Sequence, residues 1–391
     1  MRKLFVLSAL VLMAIMGNAQ GYQFSVVKEN PITSIKNQGS SGTCWSYSGL
    51  AFLESEIIRM GKGEHDLSAM YVVRRNYADK ADKYVRTSGN INFAQGGSFA
   101  DVVETLDTYG VIPMDLYTGL NYGEKLNNHG ELEAGISGYV KGISEKKSRR
   151  LSTAWVNGLN GLLDAYFGDV PAEFEYQGKK YTPQSLAESL GLKSSDYISL
   201  TSYTHHPFYA PFALEIPDNW RWSLSYNLPI DELMEVFDNA INNGYTVAWA
   251  SDVSEVGFTR NGIAVMPDDE APENVGSDQA HWLGLPQGEK NNRLKSKAEA
   301  GPVKEKVITQ KMRQIAFDNQ ETTDDHGMQI YGIAKDQNGG KYYMVKNSWG
   351  ETGAYKGIWY ASESFVKYKT MSIVIHKDAL PKAIAKKLGV K

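Results

Sequence analysis

The chain has a single cysteine, Cys44. That excludes an intrachain disulfide, so an exported form would have to fold without covalent staples. No internal repeat and no low-complexity tract interrupts the sequence. Beyond the first twenty residues there is no long apolar run, so no stable membrane insertion is expected of the mature protein. Strong charge of one sign is also missing: the formal net charge is −4, which gives no support for nucleic acid as the main partner. His205-His206 lacks a carboxylate or cysteine cluster at ligand spacing, and two adjacent histidines point in different directions. It reads as an ordinary loop before Pro207, and neither a metal nor another cofactor is expected.

What is present is a normal globular composition, with 42% hydrophobic and 22% charged residues, 23 Tyr and 8 Trp. The start differs in kind. Arg2 and Lys3 precede a run from Leu4 to Met16 that is apolar except for Ser8, and Gly17-Asn18-Ala19 supplies small residues. This is the pattern of a signal peptide over residues 1–20, cut near Ala19 or Gln20. The alternative, an N-terminal membrane anchor, is opposed by length: the run is shorter than the ~20 residues that span a bilayer. The expected location is periplasmic or extracellular.

A lone thiol in an oxidising compartment is open to oxidation or intermolecular pairing. The bland explanation is a small buried hydrophobe. The neighbourhood favours a nucleophile. Asn37-Gln38-Gly39-Ser40-Ser41-Gly42-Thr43 is polar and glycine-rich, and Trp45, Leu50, Phe52-Leu53 and Ile57-Ile58 follow at helical spacing. Thr43 is an N-cap candidate, which puts Cys44 in the first helical turn, where unpaired N–H groups stabilise a thiolate. Gly42 lets the backbone approach a bound substrate, and Gln38 can aim its amide at an oxyanion beside the sulfur.

A thiolate needs an acid/base partner. His326 stands after Asp324-Asp325, at the start of an alternating run through Met328, Ile330 and Ile333. Asn347, at the end of the strand-like Tyr342–Lys346, can hold the imidazole ring, and Trp349 can shield that bond from water.

On these residues the chain resembles the papain superfamily, and within it the bleomycin hydrolase or aminopeptidase C branch. Ser41-Gly42-Thr43-Cys44-Trp45 matches the segment around the papain-type nucleophile. The resemblance implies Cys44 as nucleophile, His326 as base, Asn347 as the orienting residue and Gln38 in the oxyanion hole. Asp325 matches an aspartate that tunes the pH profile. His326 lies 282 residues downstream of Cys44 (326 − 44). Papain keeps its histidine only ~130–150 residues downstream, so a large insertion is expected between them. Leu67–Tyr71, Gly96-Gly97-Ser98, Gly110–Pro113 and Val247–Val253 also resemble the branch.

The fold expected is α+β: a papain-like two-lobed cysteine peptidase with a large helical insertion. Residues 21–391 form the peptidase domain, divided into a helical lobe (31–116), a helical insertion (117–244), a β-rich lobe (245–376) with a β-barrel-like sheet, and a tail (377–391). Helices are expected over 98–109, 146–163, 183–192 and 228–242. The stretch 267–312 reads as a loop with a helix, and His281-Trp282 as structural. The resemblance implies peptide substrates and trimming from the N-terminus, with the chain's own C-terminus blocking one side of the cleft in a ring-shaped homo-oligomer. The longer family tail is not found after Pro381, which argues against the blocking arm and the ring. An endopeptidase or dipeptidase-like enzyme, or a non-catalytic peptide-binding protein, remains open on the same scaffold.

Overall fold

The computed structural model describes residues 21–146, 150–268 and 286–390. The leader read in residues 1–20 and the pair His281-Trp282 lie outside the described residues. Among the described residues no helix is long and apolar enough to cross a membrane.

The helical lobe is built on α1 (Cys44–Arg59), α2 (Ala69–Arg86) and α3 (Phe99–Thr108). Every residue of α1 from Trp45 to Ile57 is buried, because α2 and α3 cover one side and the sheet covers the other. Burying Phe52, Leu53 and Ile57 contributes about 1.5–3 kcal/mol each. α3 starts after Ser98, whose N–H bonds to the Asp101 carboxylate (2.8 Å), and stops before Gly110, which takes φ +74°. Only a residue without Cβ adopts that conformation cheaply.

Among the described residues the main sheet has ten strands. They are β1 (Ser25–Glu29), β4 (Tyr197–Thr201), β5 (Pro211–Ala213), β6 (Leu224–Asn227), β7 (Val247–Ser251), β8 (Ile263–Ala264), β9 (His326–Lys335), β10 (Lys341–Lys346), β11 (Ile358–Ser362) and β12 (Thr370–His376). Their order is β5-β6-β4-β12-β7-β9-β10-β11-β8, with β1 paired to the far half of β9. A separate hairpin is formed by β2 (Phe174–Tyr176) and β3 (Lys179–Tyr181). Alternation along β9 gives it two faces. Gly327 and Gln329 face α1, where Gln329 bonds to Ala51 O (3.1 Å) and Ser55 Oγ (2.8 Å). Met328 and Ile330 face the opposite way, into a core shared with α7 (Ile230–Asn242).

The interval 117–244, expected to be helical, holds α4 (Gly130–Ser144), α5 (Ala154–Phe167), α6 (Pro183–Leu190) and α7, but it also supplies three strands of the main sheet. β4 pairs with β12 through Ile373↔Leu200 (373 − 200 = 173 positions apart) and Ile375↔Ile198, so one of its sheet partners is distant in sequence. The helix expected over 146–163 begins at Ala154 and runs on to Phe167, closed by Gly168 at φ +85°. The polar stretch contains α8 (Gln287–Ala300) and the start of α9 (Gln310–Asp318), and α10 (Glu363–Lys369) follows β11. The C-terminal helix α11 (Lys382–Leu388) rests beside α7. Ile384 and Leu388 are buried, Lys387 pairs with Glu232 (2.7 Å), and Asn239 donates to Ala379 O (2.8 Å).

One histidine that belongs to no motif is notable in the fold. His129 is fully buried, edge-on to Phe167 (5.5 Å) and Tyr77 (6.3 Å), and neither ring nitrogen has a hydrogen-bond partner. Burial pushes its pKa down to about 4, so it folds neutral. In the unfolded chain it titrates near 6.5. Its contribution is therefore intact above pH ~6.5 and is lost as the pH falls toward 4, by about 3 kcal/mol in full. His129→Phe should remove that much of the acid-induced drop in the urea midpoint between pH 7 and 4. An identical drop in the variant would overturn this account.

Candidate active site

α1 points its first turn at the start of β9. Thr43 occupies the N-cap position, but its hydroxyl bonds to Ser41 Oγ (2.6 Å) and caps no backbone N–H. The open N–H groups of the first turn thus remain available near Cys44. Gly327 makes the approach of the two elements feasible. A Cβ there would stand 3.2–3.3 Å from Trp45 Cα and N, and its carbonyl accepts from Ser48 Oγ (2.6 Å). The backbone N–H of Gly327, the residue after His326, lies close enough to the Cys44 sulfur to favour the thiolate.

His326 opens β9, and Asn347 directly follows the adjacent antiparallel strand β10, which ends at Lys346, opposite Gln329. His326 Nε2 is 2.7 Å from Asn347 Oδ1. The same oxygen accepts from Ser348 N–H (2.7 Å), so the Asn347 amide presents its oxygen to the ring. We assign the imidazole proton to Nε2 on this ground, which leaves the Nδ1 lone pair free. Trp349 covers the pair, with its ring 4.6 Å from the imidazole at 30°, and His326 and Asn347 are both buried.

Gln38 reaches the same place from the N-terminal side. Its N–H bonds to Ser348 O (2.8 Å), and Gly350 N–H bonds to Lys36 O (2.9 Å), so segment 36–38 is laced to segment 348–350. The Gln38 side-chain oxygen accepts from Ser348 Oγ (2.6 Å), and its amide nitrogen donates one hydrogen to Ser41 O (2.6 Å). The second amide hydrogen is left over. Ser348 thus orients both Asn347 and Gln38. Its only sequence signal is its place beside Asn347. Gly42 packs on Gln95, whose Oε1 accepts from Gly42 N–H (2.7 Å).

Asp325 turns away from the imidazole. Its carboxylate accepts from Ser254 N–H (3.1 Å), Ser254 Oγ (2.5 Å) and Thr323 Oγ1 (3.0 Å). Burial opposes its charge, but these bonds outweigh burial and hold its pKa below the usual range.

The electrostatics of the central pair are set by desolvation. Burial pushes the Cys44 thiol up to about 12, against the Gly327 and Trp45 N–H groups that favour the thiolate. Burial pushes His326 down to about 4, against the Asn347 bond. A lone charge on either group is disfavoured, so charge separation requires both to be charged together. Two further carboxylates act on the sulfur, Asp324 and Asp218. Asp324 has no hydrogen bond or ion pair to its carboxyl among the described residues, and burial followed by Asp218 raises its pKa to about 8. Sequence reading passed over both, since neither belongs to a motif.

His205 and His206 do not point apart, as expected from adjacency. Both Nε2 atoms converge on Glu215, at 3.0 and 2.7 Å. The chain folds back after β5 to bring the carboxylate to them.

Comparison with known proteins fits this arrangement. The profile of the Peptidase C1-like family matches residues 302–390. Aminopeptidase C of Streptococcus thermophilus is 23% identical over 389 residues, covering 88% of this chain and 81% of that protein. Aminopeptidase C of Lactobacillus helveticus is 23% identical over 412 residues, covering 91% and 84%. The crystal structure of PepW from Lactobacillus rhamnosis HN001 superposes with a TM-score of 0.69 at 18% identity, over 93% of this chain and 84% of that one. The chain is similar to the papain-type cysteine peptidases, and along most of its length to the aminopeptidase C proteins. In this papain-type peptidase the matched profile segment carries His326 and Asn347, while Cys44 and Gln38 come from the other end of the chain.

If His326 is the acceptor of the thiol proton, His326→Ala leaves Cys44 a buried thiol with no base. Its alkylation by iodoacetamide should then lose the neutral-pH limb and rise only in strongly alkaline solution. A rate–pH profile like that of the unaltered protein would refute the pairing.

Proposed function

We propose that this peptidase is an exported aminopeptidase that works through Cys44, His326 and Asn347. The observation that carries the chemistry is the Trp349-covered bond from His326 to Asn347, with Gly327 N–H at the sulfur. His326 Nδ1 takes the thiol proton as sulfur attacks the peptide carbonyl. The oxyanion is received by the spare hydrogen of Gln38 Nε2 and by the Cys44 N–H. The tetrahedral adduct collapses to a thioester, and His326 returns the proton to the leaving amine. Water then gives a proton to Nδ1, attacks the thioester, and releases the acid and the thiol.

The exopeptidase part of the reading rests on the relatives' names and on charge in the cleft. Asp218 and Asp324 lie within electrostatic reach of the sulfur, and Asp324 has no cation of its own. A substrate ammonium next to the scissile bond would supply one, and would draw both carboxyls into their charged forms. Residues 382–390 are committed to α7, on the face of the sheet away from α1, so side-chain carboxylates take the role that the family gives to the chain's own terminus.

Cys44→Ala should abolish peptide hydrolysis; retained turnover would rule out the nucleophile. Peptides with a free amino terminus should be cleaved at least ten-fold better in kcat/KM than their N-acetylated forms. Asp218→Asn should narrow that ratio mainly through KM, and equal rates for the two substrates would eliminate the aminopeptidase reading while leaving the peptidase intact. Export is checked by N-terminal sequencing, which should begin near Gln20 or Gly21.

A further inference from the structure

The loop between β4 and β5 and the residues after β5 build a cluster that the peptidase chemistry does not use. His205 Nε2 lies 3.0 Å from Glu215 Oε2, and His206 Nε2 lies 2.7 Å from Glu215 Oε1. One donor atom from each of the three side chains falls within 4.8 Å of the other two. Residues 204–206 form a bend that turns both imidazoles to one side. The rings are fixed by stacking, His205 on Phe317 (5.5 Å, 20°) and His206 on Phe212 (4.2 Å, 24°). The backbone is fixed by fully buried Asn227. Its amide donates to Tyr203 O (2.7 Å) and His206 O (2.9 Å), and its oxygen accepts from Tyr203 N–H (2.9 Å). Gln314 on α9 stands at the other nitrogen of His205, with its amide nitrogen 3.1 Å and its oxygen 3.5 Å from Nδ1.

The geometry points to a divalent transition-metal site, with zinc as the fitting ion, formed by His205 Nε2, His206 Nε2 and the Glu215 carboxylate. Two imidazoles and one carboxylate suit a borderline ion, whereas calcium and magnesium require mostly oxygen ligands. The three side chains retain exposures of 28%, 35% and 55%, so an ion can enter and keep a water as its fourth ligand. Binding replaces the two Nε2–H···O bonds: each imidazole moves its proton to Nδ1, and Gln314 is placed to accept that of His205. The ion would fasten the insertion loop to α9 through His205, Gln314 and Phe317. α9 leads directly into the segment that ends at His326, so the site is structural and lies outside the chemistry of Cys44.

The test is calorimetric titration of zinc into tag-free Cys44→Ala protein, in which the competing thiol is removed. One equivalent should bind with a Kd of about 10 µM or tighter, and calcium should give no heat. His206→Ala should abolish binding, and Glu215→Gln, which keeps size and packing, should weaken it at least ten-fold. Cobalt should give a visible-range absorption in the parent that the same variants lose. No saturable zinc binding below about 100 µM, or unchanged binding in both variants, would overturn the site. If His206→Ala fails to fold, Glu215→Gln alone decides, because its buried neighbours are untouched.

Discussion

The contact between the first turn of α1 and the first residues of β9 governs the rest of this molecule. Gly327 has no side chain to keep the strand from the helix, and its N–H and carbonyl are both used, one at the Cys44 sulfur and one at Ser48. A larger residue would push against the Trp45 backbone and separate Cys44 from His326. The same interface is extended by Gln329, which ties the middle of β9 to Ala51 and Ser55. It is braced further along by Glu54, which accepts from the Leu67 N–H (2.8 Å) and from Thr33, the residue that also holds Lys346 (2.8 Å). Burial raises Glu54 to about 7 and lowers Lys346 to about 8, so each charge depends on the other. Lys346 immediately precedes Asn347, and this Thr33-linked network therefore holds the Asn347 backbone in position.

The insertion is not a separate appendage. Arg221 bonds to Asp101 Oδ1 (2.7 Å), Asp79 (2.7 Å) and Asn76 (2.6 Å), and Trp220 Nε1 bonds to the other oxygen of Asp101 (3.0 Å). Desolvation raises the Asp101 pKa, and the cation beside it is what makes its charge bearable. On the other side, Ser40 and residues 127–129 exchange backbone bonds of 2.7 and 3.1 Å, which stiffens the turn that carries Gln38. Insertion residues thus brace the loop that carries Gln38 and place Asp218 near the sulfur. A papain-like core with no insertion would lack both.

Much of the candidate site's geometry was legible because each piece has a local signature. A glycine-rich polar loop before an apolar helical period marked Cys44, and strand alternation with polar leads marked His326 and Asn347. The β strands of the insertion were not legible. Tyr197–Thr201 is short, and its partner is β12, so no local period distinguished it from a loop. Ser348, Asp218 and Asp324 were missed for a related reason. A serine that turns an amide, or a carboxylate that faces a sulfur, carries no motif; only its neighbours in space give it a task.

The sequence by itself determined that a lone cysteine begins a helix, that a histidine begins a strand, and that an amide follows another strand, because capping, period and alternation act over a few residues. It also determined the leader pattern and the size of the gap between Cys44 and His326. The tertiary structure decided which charges survive there. The shifts of Cys44 and His326 come from desolvation, and desolvation depends on everything packed around a group. It also turned His205 and His206 onto one carboxylate, because the bend at residues 204–206 turns both imidazoles to one side, where they stack on Phe317 and Phe212.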